Sequence, residues 1–245
     1  MCSIVCGSNS NTKASHTSTT MIVTPAAAAA ATTTAASWLW LIQLIPIISA
    51  APREDAAPQV KVSVYYESLC PDSRNFFVDQ LYPVWVDLSY IIDLQLTSYG
   101  KTRELSGDGE QYEFRCQHGP RECASNVMLT CANHYITDHY LQVDFAHCVM
   151  RDFQGTKSGK LCANETGVEF GPIKQCMKSS EGTQLQHQAG LLQATLSPPL
   201  DYVPWITIDD VFTRHQLHEA LRNLREVVCD AYQGTKPSFC NLELV

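Results

Sequence analysis

Eleven cysteines in a chain of 245 residues constrain this fold more than any other feature. That density points to an oxidising compartment with a disulfide framework, or else to metal sites. The N-terminal segment decides between them. From Met1 to Pro52 the only formal charge is Lys13, and an Ala- and Thr-rich stretch leads into an apolar run at residues 38–49, closed by the small residues Ser49, Ala50 and Ala51. This reads as a leader, residues 1–51, with a signal peptide and a cleavage site. A membrane anchor is the weaker reading, because Gln43, Pro46 and Thr32–Thr34 spoil a span. Removing the leader removes Cys2 and Cys6 and leaves nine of the eleven cysteines, an odd number, so at least one has no intrachain partner. A formal net charge of −8 argues against nucleic acid as a partner. The sequon at Asn164, placed in a Gly- and Lys-rich stretch read as a loop, is a glycosylation candidate in a secreted chain.

The rest of the chain, 58–245, reads as one domain. Residues 61–66 alternate as a strand, Pro71 and Asp72 open a helix that Pro83 is expected to kink, and residues 91–99 form a second strand. A strand, helix and strand of this length imply a parallel crossover. A cysteine-rich helical insertion follows at about 114–198, with 153–178 read as loop. A third strand then begins at Pro204, Asp209-Asp210 makes a turn into a short return strand at Val211-Phe212, and residues 215–232 form an amphipathic helix. His147, His215 and His218 read as surface or helix residues. The order is that of an α/β, thioredoxin-like fold with the insertion between its two halves.

The chemistry centres on Cys70-Pro71-Asp72-Ser73, at the strand-to-helix junction. The thiolate attacks disulfides, and unpaired N–H groups at a helix start favour the thiolate. Asp72 opposes this. Ser73 is placed to turn its hydroxyl to the sulfur, yet it cannot form the internal disulfide of a C-x-x-C site. Such a site attacks a disulfide and needs an external small thiol, or a substrate thiol, to complete a cycle. In thioredoxin-like proteins a cis proline before a strand lies beside the reactive sulfur, which makes Val203-Pro204 the candidate substrate groove. Local disulfides are expected at Cys229–Cys240 and, on weaker grounds, at Cys162–Cys176. Cys123 and Cys131 cannot pair on one straight helix, since eight residues rise about 12 Å.

A second motif is Cys116-Gln117-His118-Gly119-Pro120-Arg121-Glu122-Cys123-Ala124-Ser125-Asn126. It resembles the C-Q-H-G-x-x-E-C-x-x-N signature of the gamma-interferon-inducible lysosomal thiol reductase family, and Val203-Pro204-Trp205 and the Cys229–Cys240 tail are similar to that family as well. The resemblance covers roughly residues 60–240. It implies a thioredoxin-like fold, a secreted or lysosomal location, disulfide-bonded protein substrates and disulfide reduction at acidic pH. Ser73 departs from it, because reductases of the family carry a second cysteine there. The expected function is a thiol–disulfide oxidoreductase that attacks through Cys70 in a monothiol or isomerase-like manner. The competing reading is a catalytically silent secreted relative that binds partners or extended polypeptides. No cofactor is expected, and no metal, because the cysteines lack the short knuckle spacing of zinc sites. His118 and Glu122 are either structural polar groups or proton donors near Cys70.

Overall fold

The computed structural model describes residues 57–107 and 109–241, so the expected leader at 1–51 and its cleavage site lie outside the described residues. Strand β1 (Val60–Tyr66) is buried on both faces, as its run of Val and Tyr requires of a central strand. It pairs in parallel with β2 (Ile92–Ser98), in the register Val60↔Ile92 to Tyr66↔Ser98, and antiparallel with β5 (Trp205–Ile208), giving the order β2-β1-β5. The crossover from β1 to β2 is α1 (Pro71–Phe76), a π-helical turn at Phe77–Leu81 and α2 (Tyr82–Leu88). Pro83 lacks an N–H and would clash with a carbonyl one turn back. The wider turn just upstream, in which Tyr82 N–H reaches Phe77 O, relieves that conflict and keeps the helix going. This parallel crossover, the antiparallel third strand and a C-terminal helix α8 (Arg214–Ala231) make the thioredoxin-like α/β core. Helix α8 is capped by Thr213, which accepts from Gln216 N–H at 3.0 Å, and buries Leu217, Leu224 and Val228.

Between the halves stand a hairpin of β3 (Arg103–Gly107) and β4 (Tyr112–Arg115), then five helices: α3 (Pro120–Tyr135), α4 (His139–Asp152), α5 (Ser158–Thr166), α6 (Phe170–Lys178) and α7 (Ser180–Ala194). Three sequence readings change here. The stretch 153–178 is mostly helical rather than loop, so Asn164 sits exposed on α5. The expected return strand shrinks to one bridge, Ile208↔Val211, across a turn in which Asp209 and Asp210 adopt φ 51° and 62°. The pair Cys162–Cys176 does not form. Cys131 on α3 joins Cys176 on α6, and Cys148 on α4 joins Cys162 on α5. Each half-cystine meets the helix packed against its own, a relation that closeness in sequence does not report. Cys229–Cys240 forms as expected, and Cys116–Cys123 completes the set. Among the described residues no helix is long and apolar enough to cross a membrane.

His147 is buried, not a surface residue, and its ring stacks on Tyr82 at 3.6 Å. Burial first, then the nearby Arg151, pull its pKa down to about 4, with Glu165 opposing. The fold therefore holds the neutral imidazole, and stability is intact above the ordinary value near 6.5 and is lost as pH falls toward 4. Moving from pH 7.5 to 5 is expected to cost about 2 kcal/mol through this residue. His147→Phe, which keeps the stack, should remove that slope. Urea titrations of both proteins at the two pH values test it, and an equal acid loss in the variant would refute the attribution.

Candidate functional site

Cys70 ends the loop leaving β1 and is the N-cap residue of α1, with Pro71 at the first helical position. It is the one free cysteine among the described residues and is 6% exposed. Its sulfur lies 3.9 Å from the carbonyl of Val203, and the Val203-Pro204 bond is cis. The two segments read separately from the sequence thus face each other. A further link joins them, Tyr202 Oη donating to Asp72 Oδ2 at 2.8 Å. Burial, then that carboxylate, push the Tyr202 phenol up to about 12, so it remains a donor. Ser73 is fully buried and does not turn to the sulfur as expected. Its hydroxyl instead accepts from Glu67 N–H at a long 3.5 Å.

The signature residues of α3 hold the loop that ends in Cys70. Ser68 N–H donates to Asn126 Oδ1 at 3.0 Å, Leu69 N–H to Glu122 Oε2 at 3.3 Å, and Ser68 Oγ to the Glu122 carbonyl at 3.4 Å. Gly119 starts this helix at φ 84° and ψ −173°, backbone that side chains rarely permit. The Cys116–Cys123 disulfide closes the turn around it. His118 N–H donates to Glu122 Oε1 at 3.0 Å, and its Nδ1 lies 2.6 Å from Glu122 Oε2 and 3.5 Å from Glu67 Oε2. Of the two readings of His118, structural polar group or proton donor near Cys70, this engagement with carboxylates fits the first. Gln117 is exposed and lines a cleft of about 310 Å³ with Lys101, Arg103 and Arg115.

Glu67 escaped the sequence reading. Its fully buried carboxyl accepts from Lys101 N–H and lies beside Glu122. Burial first, then the charge of Glu122, push it up to about 7. The signal in the sequence was an acidic residue three positions before Cys70, where an apolar strand runs out.

Residues 61–166 match the family described as "Gamma interferon inducible lysosomal thiol reductase (GILT)". The protein of that name from Carassius auratus is 36% identical over 199 residues, covering 79% of this chain and 76% of the relative. The chain belongs to the GILT family. GILT-like protein 1 of Drosophila melanogaster is 33% identical over 201 residues, covering 76% of this chain and 80% of its own. Among solved structures, reduced DsbA from Mycobacterium tuberculosis is similar at a TM-score of 0.48 and 14% identity, covering 74% of this chain and 86% of that one. The fold class follows from the strand order above rather than from that likeness. Within the GILT domain the signature encloses no sulfur chemistry of its own. Its two cysteines are spent on a disulfide, and its Glu and Asn fix the backbone that presents Cys70.

Proposed function

We propose that this GILT-family protein is a monothiol–disulfide exchanger in which Cys70 attacks protein disulfides and an external small thiol closes the cycle. Membership of the family makes thiol–disulfide oxidoreductase the class of reaction. The observation that carries the finer reading is a free Cys70 at a helix start with Ser73, not cysteine, one turn along. The Cys70 thiolate attacks one sulfur of the substrate disulfide, forming a mixed disulfide and releasing the other sulfur as thiolate. An external thiolate attacks the Cys70 sulfur and releases the second substrate thiol. A second external thiol then frees Cys70, leaving the small thiol oxidised. Alternatively a substrate thiol attacks first, and the disulfide is rearranged without net reduction. The cis Val203-Pro204 bond and the Val203 carbonyl 3.9 Å from the sulfur support reading this segment as the place where an extended substrate docks.

Four disulfides among the described residues fit an oxidising compartment. With the apolar run at 38–49 and the exposed sequon at Asn164, they support passage through the secretory pathway to a secreted or lysosomal destination. The residues after the leader act as one domain in this reading.

Labelling of native protein at acidic pH, followed by peptide mapping, is expected to mark Cys70. Disulfide reduction is expected only with an added small thiol, and to vanish in Cys70→Ser. Labelling without turnover under any thiol condition would replace this reading with the polypeptide-binding one. Turnover that survives Cys70→Ser would end it.

A further inference from the structure

Glu67, His118 and Glu122 converge behind the Cys70 loop, one ligand atom from each lying within 4.8 Å of the others, the only such group of three or more among the described residues. Both glutamates are 0% exposed. Two carboxylates buried side by side need a positive charge or a proton between them. Their outer oxygens are already oriented, Glu67 Oε1 by Lys101 N–H and Glu122 Oε1 by His118 N–H. Glu67 Oε2 is buried, lies 3.5 Å from His118 Nδ1, and accepts no hydrogen bond. Backbone donors thus fix both carboxylates, Glu122 through Oε1 and also through Oε2, which accepts from Leu69 N–H at 3.3 Å, and an oxygen of each glutamate faces one imidazole nitrogen, as supporting bonds do around metal ligands. The side chain of His118 is 30% exposed and gives access from solvent.

We propose that Glu67, His118 and Glu122 form a three-ligand site for a divalent cation of the zinc class. The donor set selects the ion. One imidazole nitrogen and two carboxylate oxygens suit Zn²⁺, which takes both at about 2.0–2.2 Å. Calcium needs roughly six to eight oxygens, more than this pocket offers. Ligand atoms around a tetrahedral zinc sit ~3.4 Å apart; Nδ1 already lies 3.5 Å from Glu67 Oε2, and its 2.6 Å approach to Glu122 Oε2 opens to admit the ion, a movement that the partly exposed His118 side chain supplies. Nδ1 gives up its contact with Glu122 Oε2 and coordinates as the neutral imidazole with its proton on Nε2, and Glu67 binds the ion as carboxylate, releasing any proton it holds to solvent. A fourth position is left for water on the His118 side. Cys116 and Cys123 supply no ligand to this site, since they are bonded to each other. The site includes no atom of Cys70 and does not depend on the thiol chemistry proposed above.

The test uses the folded, disulfide-intact chain with Cys70 alkylated, so that the free thiol cannot hold the ion. Zn²⁺ alone is titrated at neutral pH against a chromogenic chelator, and stoichiometry is read by native mass spectrometry. One zinc per chain is expected, with at least tenfold weaker binding in Glu67→Gln and in His118→Ala, and calcium weaker than zinc. His118→Ala changes a partly exposed side chain and guards against a glutamate variant that fails to fold. No stoichiometric zinc, zinc binding unchanged in both variants, or a preference for calcium would each overturn the site.

Discussion

Ser73→Cys is expected to raise the first release of reduced substrate by pre-reduced protein, at limiting external thiol, by about 10²- to 10³-fold, the largest gain any single substitution should give here. In the chain as it stands, the mixed disulfide on Cys70 waits for a thiol from solution. A cysteine one turn along the same helix attacks from within, at an effective concentration of even ~10 mM that exceeds ~10 µM external thiol by about a thousandfold, and leaves a disulfide to Cys70 that external thiol reduces before the next cycle. The substitution suits the site. Ser73 is fully buried next to the helix start, and its one hydrogen bond, from Glu67 N–H, is 3.5 Å long. A bond of that length contributes little, so its loss does not offset the gain. Single-turnover release by pre-reduced protein, measured across a range of external thiol, decides the matter. When oxidised, the variant should also form a disulfide between Cys70 and the introduced cysteine. A pre-reduced variant whose first release is still proportional to external thiol, at the parent's values, would mean that the introduced thiol does not reach the mixed disulfide on Cys70. The Tyr202–Asp72 hydrogen bond beside the weakly exposed sulfur is the element to examine in that case.

The parts of this molecule that were legible in the sequence are those whose side chains repeat at the period of the backbone. Strand β1 alternates, α8 carries Leu217, Leu221, Leu224 and Val228 on one face, and Pro71 marks a helix start, so the sheet core and the position of Cys70 followed from local pattern. The hairpin β3–β4 did not, because every residue of β3 is exposed and the alternation of β4, Tyr112 and Phe114 against Glu113 and Arg115, runs for only four residues. Helices α5 and α6 were hidden by their glycines and lysines. What fixes them is tertiary, the disulfides that tie Cys162 to α4 and Cys176 to α3. The site divides in the same way. Cys70, Ser73 and Val203-Pro204 were visible from local chemistry, and the signature from its spacing. The work of Glu122 and Asn126 was not visible, because their partners Leu69 and Ser68 lie more than 50 positions away in the chain. Glu67 has meaning only beside Glu122 and His118, and no window of sequence holds all three.

That dependence of the site on α3 leads to the second large effect, on stability. Replacing Cys131 and Cys176 together by alanine is expected to cost about 4 kcal/mol, from the chain entropy released when a loop of this length is opened. The two cysteines are 45 residues apart, and each is 0% exposed at the contact of α3 with α6. Both are removed together so that no free thiol remains to confuse exchange at Cys70. A loss of this size is a large fraction of the 5–15 kcal/mol that typically holds a domain together. Removing Cys229 and Cys240, 11 residues apart at the C-terminal tail, should cost less, about 3 kcal/mol by the same relation. Cys131 also lies five residues beyond Asn126 on α3, whose first half grips Ser68 and Leu69. Loosening α3 should therefore weaken the presentation of Cys70 before the domain unfolds. Alkylation of Cys70 in the double variant is then expected to quicken at urea concentrations below the midpoint of global unfolding. Alkylation that rises only with the global transition, or a destabilisation under about 1 kcal/mol, would show that the loop of Cys70 is held by the sheet core alone and that the α3–α6 disulfide does not support it.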